Sequence, residues 1–222
     1  MRDYRFYPTL TGIFSASIVI SNILDTKFFH IGDTAFPGGI IIFPIVYVFG
    51  DIFTEVYGYA HSRKAIWAGF FSLLLLIVTL QIAQKMPAAS FWHNQSAFDL
   101  ILGRVTRIVT ASVTAYLTGE FVNSFTIAKL KIMQKGSRMS LRFVASTVFG
   151  QAVDTSVFLI VAFVGTMGIG EMIRVFISAW LFKVSWEIIA LPFSIWFVKW
   201  LKKAENNDHL DIATNFNPFK IC

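Results

Sequence analysis

The sequence predicts an all-α, polytopic membrane protein with six transmembrane helices. Three observations carry that prediction. Of the 222 residues, 55% are hydrophobic and 14% charged, with a mean hydropathy of +0.64. Soluble domains carry roughly 25% charged residues, and a domain of this size has too little interior to hide so much apolar surface. Six apolar stretches reach the length of about 20 residues that a helix needs to cross a hydrocarbon core. Lys and Arg are also unevenly shared among the connections, as they are where positive charge fixes topology. Composition excludes soluble enzymes, disordered chains and fibrous proteins. A transmembrane barrel is excluded because it would need strands of about 10 residues with alternating hydrophobicity, which are absent.

The first span runs from Pro8 to Lys27. It is too long for the apolar part of a signal peptide and no A-x-A site follows, so it reads as uncleaved. The second runs from Gly38 to Tyr57 and holds Pro44, which frees a carbonyl near Ile40 and kinks the helix. With Gly38 and Gly39 it is a candidate broken helix of the type that lines transporter sites. The third, Ala65 to Ala83, is almost purely apolar and is expected to face lipid or to serve packing. The stretch from Met86 to Asp99, with Phe91, Trp92 and His93, reads as an outer interfacial segment or a lid. The fourth span covers Leu100 to Ala128, and its small stripe Ala111, Ala115, Gly119 marks close helix packing. The fifth covers Leu141 to Gly165 and the sixth Met172 to Trp200. Residues 1–203 form the six-helix transporter domain and 204–222 a polar, flexible cytosolic tail.

With the N-terminus inside, thirteen Lys and Arg fall on the cytosolic side and three outside. Both termini are therefore expected in the cytosol, in the manner of a bacterial inner-membrane protein. The basic stretch from Lys129 to Arg142 reads as a topology-fixing loop, and no nucleic-acid partner is expected. Sorted by compartment, the formal charge is +9 on the cytosolic side, 0 outside and −3 within the spans, so the net +6 reports topology. The single cysteine, Cys222, permits no intramolecular disulfide. Val48-Phe49-Gly50 recurs as Val148-Phe149-Gly150. If this is a true repeat, the chain is two inverted three-helix halves with a site at their interface near the membrane midplane.

Nine ionisable residues lie inside the spans: Asp25, Asp51, Glu55, Arg104, Arg107, Glu120, Asp154, Lys183 and Glu187. Each costs roughly 2.5–3.5 kcal/mol at the middle of a helix, so such residues face an interior or a wet cavity and are functional candidates. Asp51 and Glu55 are i,i+4 and share one helix face, where they can share a proton, bind a cation, grip a donor-rich ligand, or lie wet near the cytosolic end against Arg63 or Lys64. Lys183 and Glu187 are likewise i,i+4 and can neutralise one another. Arg107 is expected to pair with an acid such as Asp154. Glu120 is deep enough to be an internal partner. The amides Asn22, Asn123 and Gln151 are suited to reading the edge of a heterocycle. No H-E-x-x-H, G-x-S-x-G or Walker motif occurs, so neither enzyme chemistry nor a bound cofactor or metal is expected.

In this order the segments Phe43-Pro44, Asp51-Ile52-Phe53-Thr54-Glu55-Val56-Tyr57-Gly58, Arg107, Ala111-Ser112, Ala115-Tyr116, Gly119, Asn123, Ser146-Thr147, Gly150-Gln151, Asp154-Thr155, Phe158, Ala162-Phe163, Phe182-Lys183 and Pro192 resemble the queuosine precursor transporters of the vitamin uptake transporter group. The resemblance covers roughly residues 12–200. Asn123 stands where many members have an aspartate. The resemblance implies import of a 7-deazaguanine base: queuine, preQ0 or preQ1. Asp51, Asp154 or Glu55 would accept the two adjacent N–H donors of its guanine-like edge. Asn22, Gln151 or Asn123 would read its carbonyl and ring nitrogens. Phe49, Phe149 and Phe158 would stack on its face. Lys183 and Arg107 would hold the spare acids ionised or move as gating pairs, and Glu187 is a further candidate for substrate binding. Partners are then the small-molecule substrate, membrane lipid and, as an open option, a second copy in a homodimer. The main expectation is a carrier that alternates access at mid-membrane. The alternative is a substrate-binding membrane subunit of an ATP-powered energy-coupling-factor importer, docking through Gly12 and Ala16. An intramembrane lipid enzyme lacks an accompanying nucleophile or metal set.

Overall fold

A computed structural model describes residues 4–31, 34–102 and 106–220. The chain is helical apart from one short hairpin. Helix α1 (Tyr7–Leu24) is followed by strands β1 (Phe28–Ile31) and β2 (Thr34–Pro37), a 3₁₀ turn (Gly38–Ile41), α2 (Phe43–Ile52) and a π turn (Phe53–Tyr57). Then come α3 (Tyr59–Lys85), α4 (Gln95–Leu102), α5 (Thr106–Met133), α6 (Met139–Phe163) and α7 (Ile169–Glu205). Proline marks two helix starts. Pro8 and Pro44 sit in the first turn of α1 and α2, where the missing N–H has no helical acceptor to leave unpaired.

The second apolar stretch is indeed interrupted, but Pro44 starts a helix there instead of kinking one. Gly38 and Gly39 turn against the end of α1, and Asp25 Oδ1 accepts the Gly39 N–H at 2.9 Å. A methyl on Gly38 would come 2.4 Å from the Leu24 carbonyl oxygen, so the close approach requires glycine. At its far end α2 widens into the π turn, whose five residues are all buried. Such turns are rare and concentrate at functional places. The hairpin that joins α1 to this segment pairs Phe28 with Pro37 and Ile31 with Thr34, strand structure that apolar-span reasoning does not reveal.

Helices α5 and α6 pack most extensively. They approach at Gly119 and Gly150: a methyl on Gly119 would meet Asp154 Cβ at 2.7 Å, and one on Gly150 would meet Asn123 Cβ at 2.9 Å. The buried stripe Ala111, Ala115, Gly119 thus serves close packing as expected. Elsewhere the bundle turns apolar side chains outward. Leu75, Ile189 and Trp196 are uncovered, and the second half of α3, from Phe71 on, is largely exposed while its first half packs, in keeping with the lipid-facing or packing role read for it. Among the described residues α1, α3, α6 and α7 are long and apolar enough to cross a membrane.

One end of the bundle gathers the start of α1, the π turn with the start of α3, the α5–α6 connection and the end of α7. The Arg5 and Phe6 N–H groups donate to the Glu205 carboxylate at 3.1 and 2.7 Å. The Tyr7 hydroxyl donates to the His61 carbonyl, and the Tyr57 hydroxyl donates to Glu205. At the opposite end, α4 leaves Leu100 and Ile101 uncovered, and Trp92 packs edge-on against Phe98. That suits the interfacial segment expected for Met86 to Asp99.

Candidate functional site

Four helices deliver polar side chains to the middle of the bundle. Tyr47 and Asp51 come from α2, Glu120 and Asn123 from α5, Gln151, Asp154 and Thr155 from α6, and Lys183 and Glu187 from α7. Asp51 is 1% exposed, and Asn123 Nδ2 donates to its Oδ1 at 2.9 Å. Its carboxyl group meets that of Glu187, also 1% exposed. The Lys183 ammonium donates to Asp154 Oδ2, to the Tyr47 hydroxyl and, at 3.4 Å, to Thr155 Oγ1. Glu120 lies over Gly50, where a methyl would come 2.7 Å from Glu120 Oε2.

The cluster is rich in acceptors and poor in donors. Asp51 Oδ2, Glu120 Oε2, Gln151 Oε1 and Glu187 Oε1 are buried with no donor among the described residues. Burying such atoms unmet is costly, about 1–3 kcal/mol each by mutational measure. A ligand with several N–H donors, or a proton, would relieve that cost. Four acids face one described cation, Lys183, so the centre is electrostatically suited to a donor-rich or cationic guest.

Several sequence expectations are revised here. Lys183 pairs with Asp154 on α6, not with Glu187 one turn away, which frees Glu187 to meet Asp51. Asp154 thus has Lys183 as a partner, and the pairing expected with Arg107 falls outside the described residues. Arg107 lies on α5, but its side chain falls outside the described residues, as does Arg104 entirely. Asn22 Nδ2 donates to its own helix at the Ile18 carbonyl, 3.0 Å away, so its amide is engaged locally. Phe49 packs into the aromatic core with Phe14 and Phe53, and Phe158 sits edge-on to Phe163. Phe149 is 58% exposed on the outside of the bundle, so no base can stack on it within the site. Tyr47 joins the cluster without having been singled out. Its signal was its place four residues before Asp51 on one helix face.

Glu55 belongs to a different cluster, at the end where both termini gather. Arg142 grips its carboxylate with two bonds of 2.7 Å, and Lys131 and Lys202 add their ammonium groups. Arg142 and Lys131 are 0% and 1% exposed. The basic stretch read as a loop is thus helix on both sides of a turn through Gly136, and two of its cations are buried. Asp208 from the tail joins Lys131 at 2.6 Å and Lys202 at 2.8 Å. Burial pushes the Asp208 carboxyl up, but the two ammonium groups outweigh it and hold the group below its ordinary range. The tail itself is packed where flexibility was expected. Asp211 accepts the Tyr59 N–H that opens α3, Arg63 donates to the carbonyls of Asn215 and Asn217, and Trp67 donates to that of Pro218.

Residues 37–214 match the family described as "Putative vitamin uptake transporter", a span that takes in both clusters and most of the tail. Curated relatives agree with it. The chain is 29% identical over 157 residues to the "Probable queuosine precursor transporter" of Bacillus subtilis, covering 70% of this chain and 69% of that protein. It is 28% identical over 125 residues to the "Queuosine precursor transporter" of Escherichia coli, covering 56% and 54%. A "Probable queuosine precursor transporter" of Haemophilus influenzae is 26% identical, with 51% of its length covered. The chain thus spans about half the length of the last two relatives. No solved structure matches.

Proposed function

The chain belongs to the vitamin uptake transporter family, and from that premise we propose that it imports a queuosine precursor, a 7-deazaguanine base, by alternating access at the central polar cluster. The observation that carries this reading is the set of buried acceptor oxygens on Asp51, Glu120, Gln151 and Glu187 that lack donors. A guanine-like edge presents two adjacent N–H donors, which one carboxylate can accept together, and a cationic aminomethyl arm would suit a second acid. In this reading Asp51 and Asp154 hold the base, Asn123 and Gln151 read its remaining edge, and Lys183 leaves Asp154 when the base arrives.

The membrane arrangement follows the same proposal. The chain is a multi-pass membrane protein, and we infer six crossings with both termini in the cytosol of a bacterial inner membrane. Support comes from the meeting of both termini, the second–third connection and the fourth–fifth connection at one end, as an even number of crossings requires. The Glu55 cluster then seals the cytosolic end of the pathway.

Equilibrium binding of queuine, preQ0 and preQ1 to the purified protein tests the site. At least one base is expected to bind, and Asp51→Asn or Asp154→Asn is expected to weaken it about tenfold or more, since a hydrogen bond to a charged acceptor contributes about 1.5–3 kcal/mol. Unchanged affinity in both variants would remove the site.

A further inference from the structure

Two carboxyl groups touch at the centre of the bundle, and each keeps a buried oxygen without a donor. We propose that Asp51 and Glu187 hold one proton between them while the cytosolic end is closed, and release it to the cytosol when the bundle opens inward. Import is thereby coupled to inward proton movement. This rests on the transport reading above and adds the driving ion.

The geometry limits where that proton can be. Asn123 occupies Asp51 Oδ1, while Asp51 Oδ2 and Glu187 Oε1 are both buried without a donor among the described residues. Two ionised carboxylates in contact repel strongly in a low-dielectric interior, whereas a single shared hydrogen converts the contact into a strong O–H···O bond. Each neighbouring element brings its own polar groups to the pair. From α2 comes Tyr47, held by Lys183. From α5 come Asn123, Tyr116 and Glu120, and the Tyr116 hydroxyl donates to the Ile66 carbonyl. From α6 comes Asp154, paired with Lys183 of α7. Beyond the end of α1, Asp25 is anchored to Gly39. The one described cation is therefore already committed to Asp154 and does not neutralise the Asp51–Glu187 pair.

Glu120 is an independent sign. It is 7% exposed, its Oε2 has no partner, and it lies over Gly50 beside Asp51. It provides a further acceptor on the same spot, to which the proton can pass. Direction follows from the Glu55 cluster. With the cytosolic end shut by Arg142, Lys131 and Lys202 around Glu55, a proton present in this conformation exchanges with the outer side. On inward opening one O–H bond breaks, the proton passes to cytosolic water, and the pair is left as two carboxylates that separate.

The test has two arms on the purified full chain. Infrared spectroscopy of the ligand-free protein in lipid is expected to show a protonated-carboxyl band that disappears in Glu187→Gln and in Asp51→Asn. In proteoliposomes containing a pH dye, uptake of a labelled base is expected to carry about one proton inward per molecule, because the pair holds a single proton between two carboxyl groups. An inside-alkaline gradient should speed uptake, a protonophore should abolish that gain, and a sodium gradient should have no effect. In Glu187→Gln the ratio of protons to base should fall toward zero at whatever uptake remains. Absence of the infrared band overturns the shared proton whatever the cargo. A band together with uptake that moves no proton overturns the coupling. A band without uptake of queuine, preQ0 or preQ1 supports the proton pair and counts against the proposed cargo instead.

Discussion

Asp51 and Glu55 show how far residue spacing reaches. Their i,i+4 separation placed both carboxylates on one helix face, and both are indeed buried. The π turn beginning at Phe53 widens the helix between them, so they serve different clusters. A local departure from helical period is set by tertiary packing and leaves no mark in the apolar pattern. The two acids should respond oppositely to neutralisation. Glu55→Gln leaves Arg142 and Lys131 buried without their counter-charge, and a loss of about 3–5 kcal/mol is expected, read as a large fall in thermal midpoint in detergent. Asp51→Asn removes one of two acids in contact and should leave the midpoint unchanged or raised while uptake falls, the pattern of a site that costs stability for function. Equal destabilisation by both would show that Asp51 is merely structural.

At the scale of elements, the apolar runs marked where helices lie, and Pro44 with Gly38 and Gly39 marked the break. The pairing of helices was less legible. Lys183 chose Asp154 on another helix over Glu187 on its own, because only the fold shows that α6 brings a carboxylate to its ammonium. The packing stripe on α5 was readable, since small residues at helical spacing permit backbones to approach. Its counterpart Gly150 completes the contact. Gly150→Ala would force a methyl to 2.9 Å from Asn123 Cβ and push apart the helices that hold Asn123 and Asp154. About 1–3 kcal/mol of destabilisation and reduced uptake are expected. Gly12, with open space around it, is the control: Gly12→Ala should be neutral or slightly stabilising.

At the scale of the whole molecule, composition and the placement of Lys and Arg announced a membrane bundle, but the polar tail was misread as loose. Its anchors, Lys131, Arg63 and Trp67, lie far from it in sequence, so no local pattern links them. Burial pushes the Asp211 carboxyl up, but bonds from His209, Thr214 and the Tyr59 N–H more than offset this and hold it below its ordinary value. A depressed carboxylate stabilises the docked tail above the unfolded value of about 3.9 and loses that contribution as pH falls through the lower folded value. Protection of residues 206–220 against hydrogen exchange, measured relative to the intrinsic rate at each pH, should therefore be high at neutral pH and fall below about pH 4, and Asp211→Asn should lower it already at pH 7. Topology is separately testable. Cys222 is the only thiol, so a membrane-impermeant thiol reagent should leave intact cells unlabelled and label inverted vesicles. The central claim, that this chain alone carries a queuosine precursor through the cluster around Asp51 and Asp154, is tested most directly by uptake of a labelled base into proteoliposomes containing only this protein and no ATP. Saturable delivery of the unaltered base, lost in Asp51→Ala and in Asp154→Ala, is the expected result. Uptake that requires an added ATPase, or that persists in both variants, would contradict it.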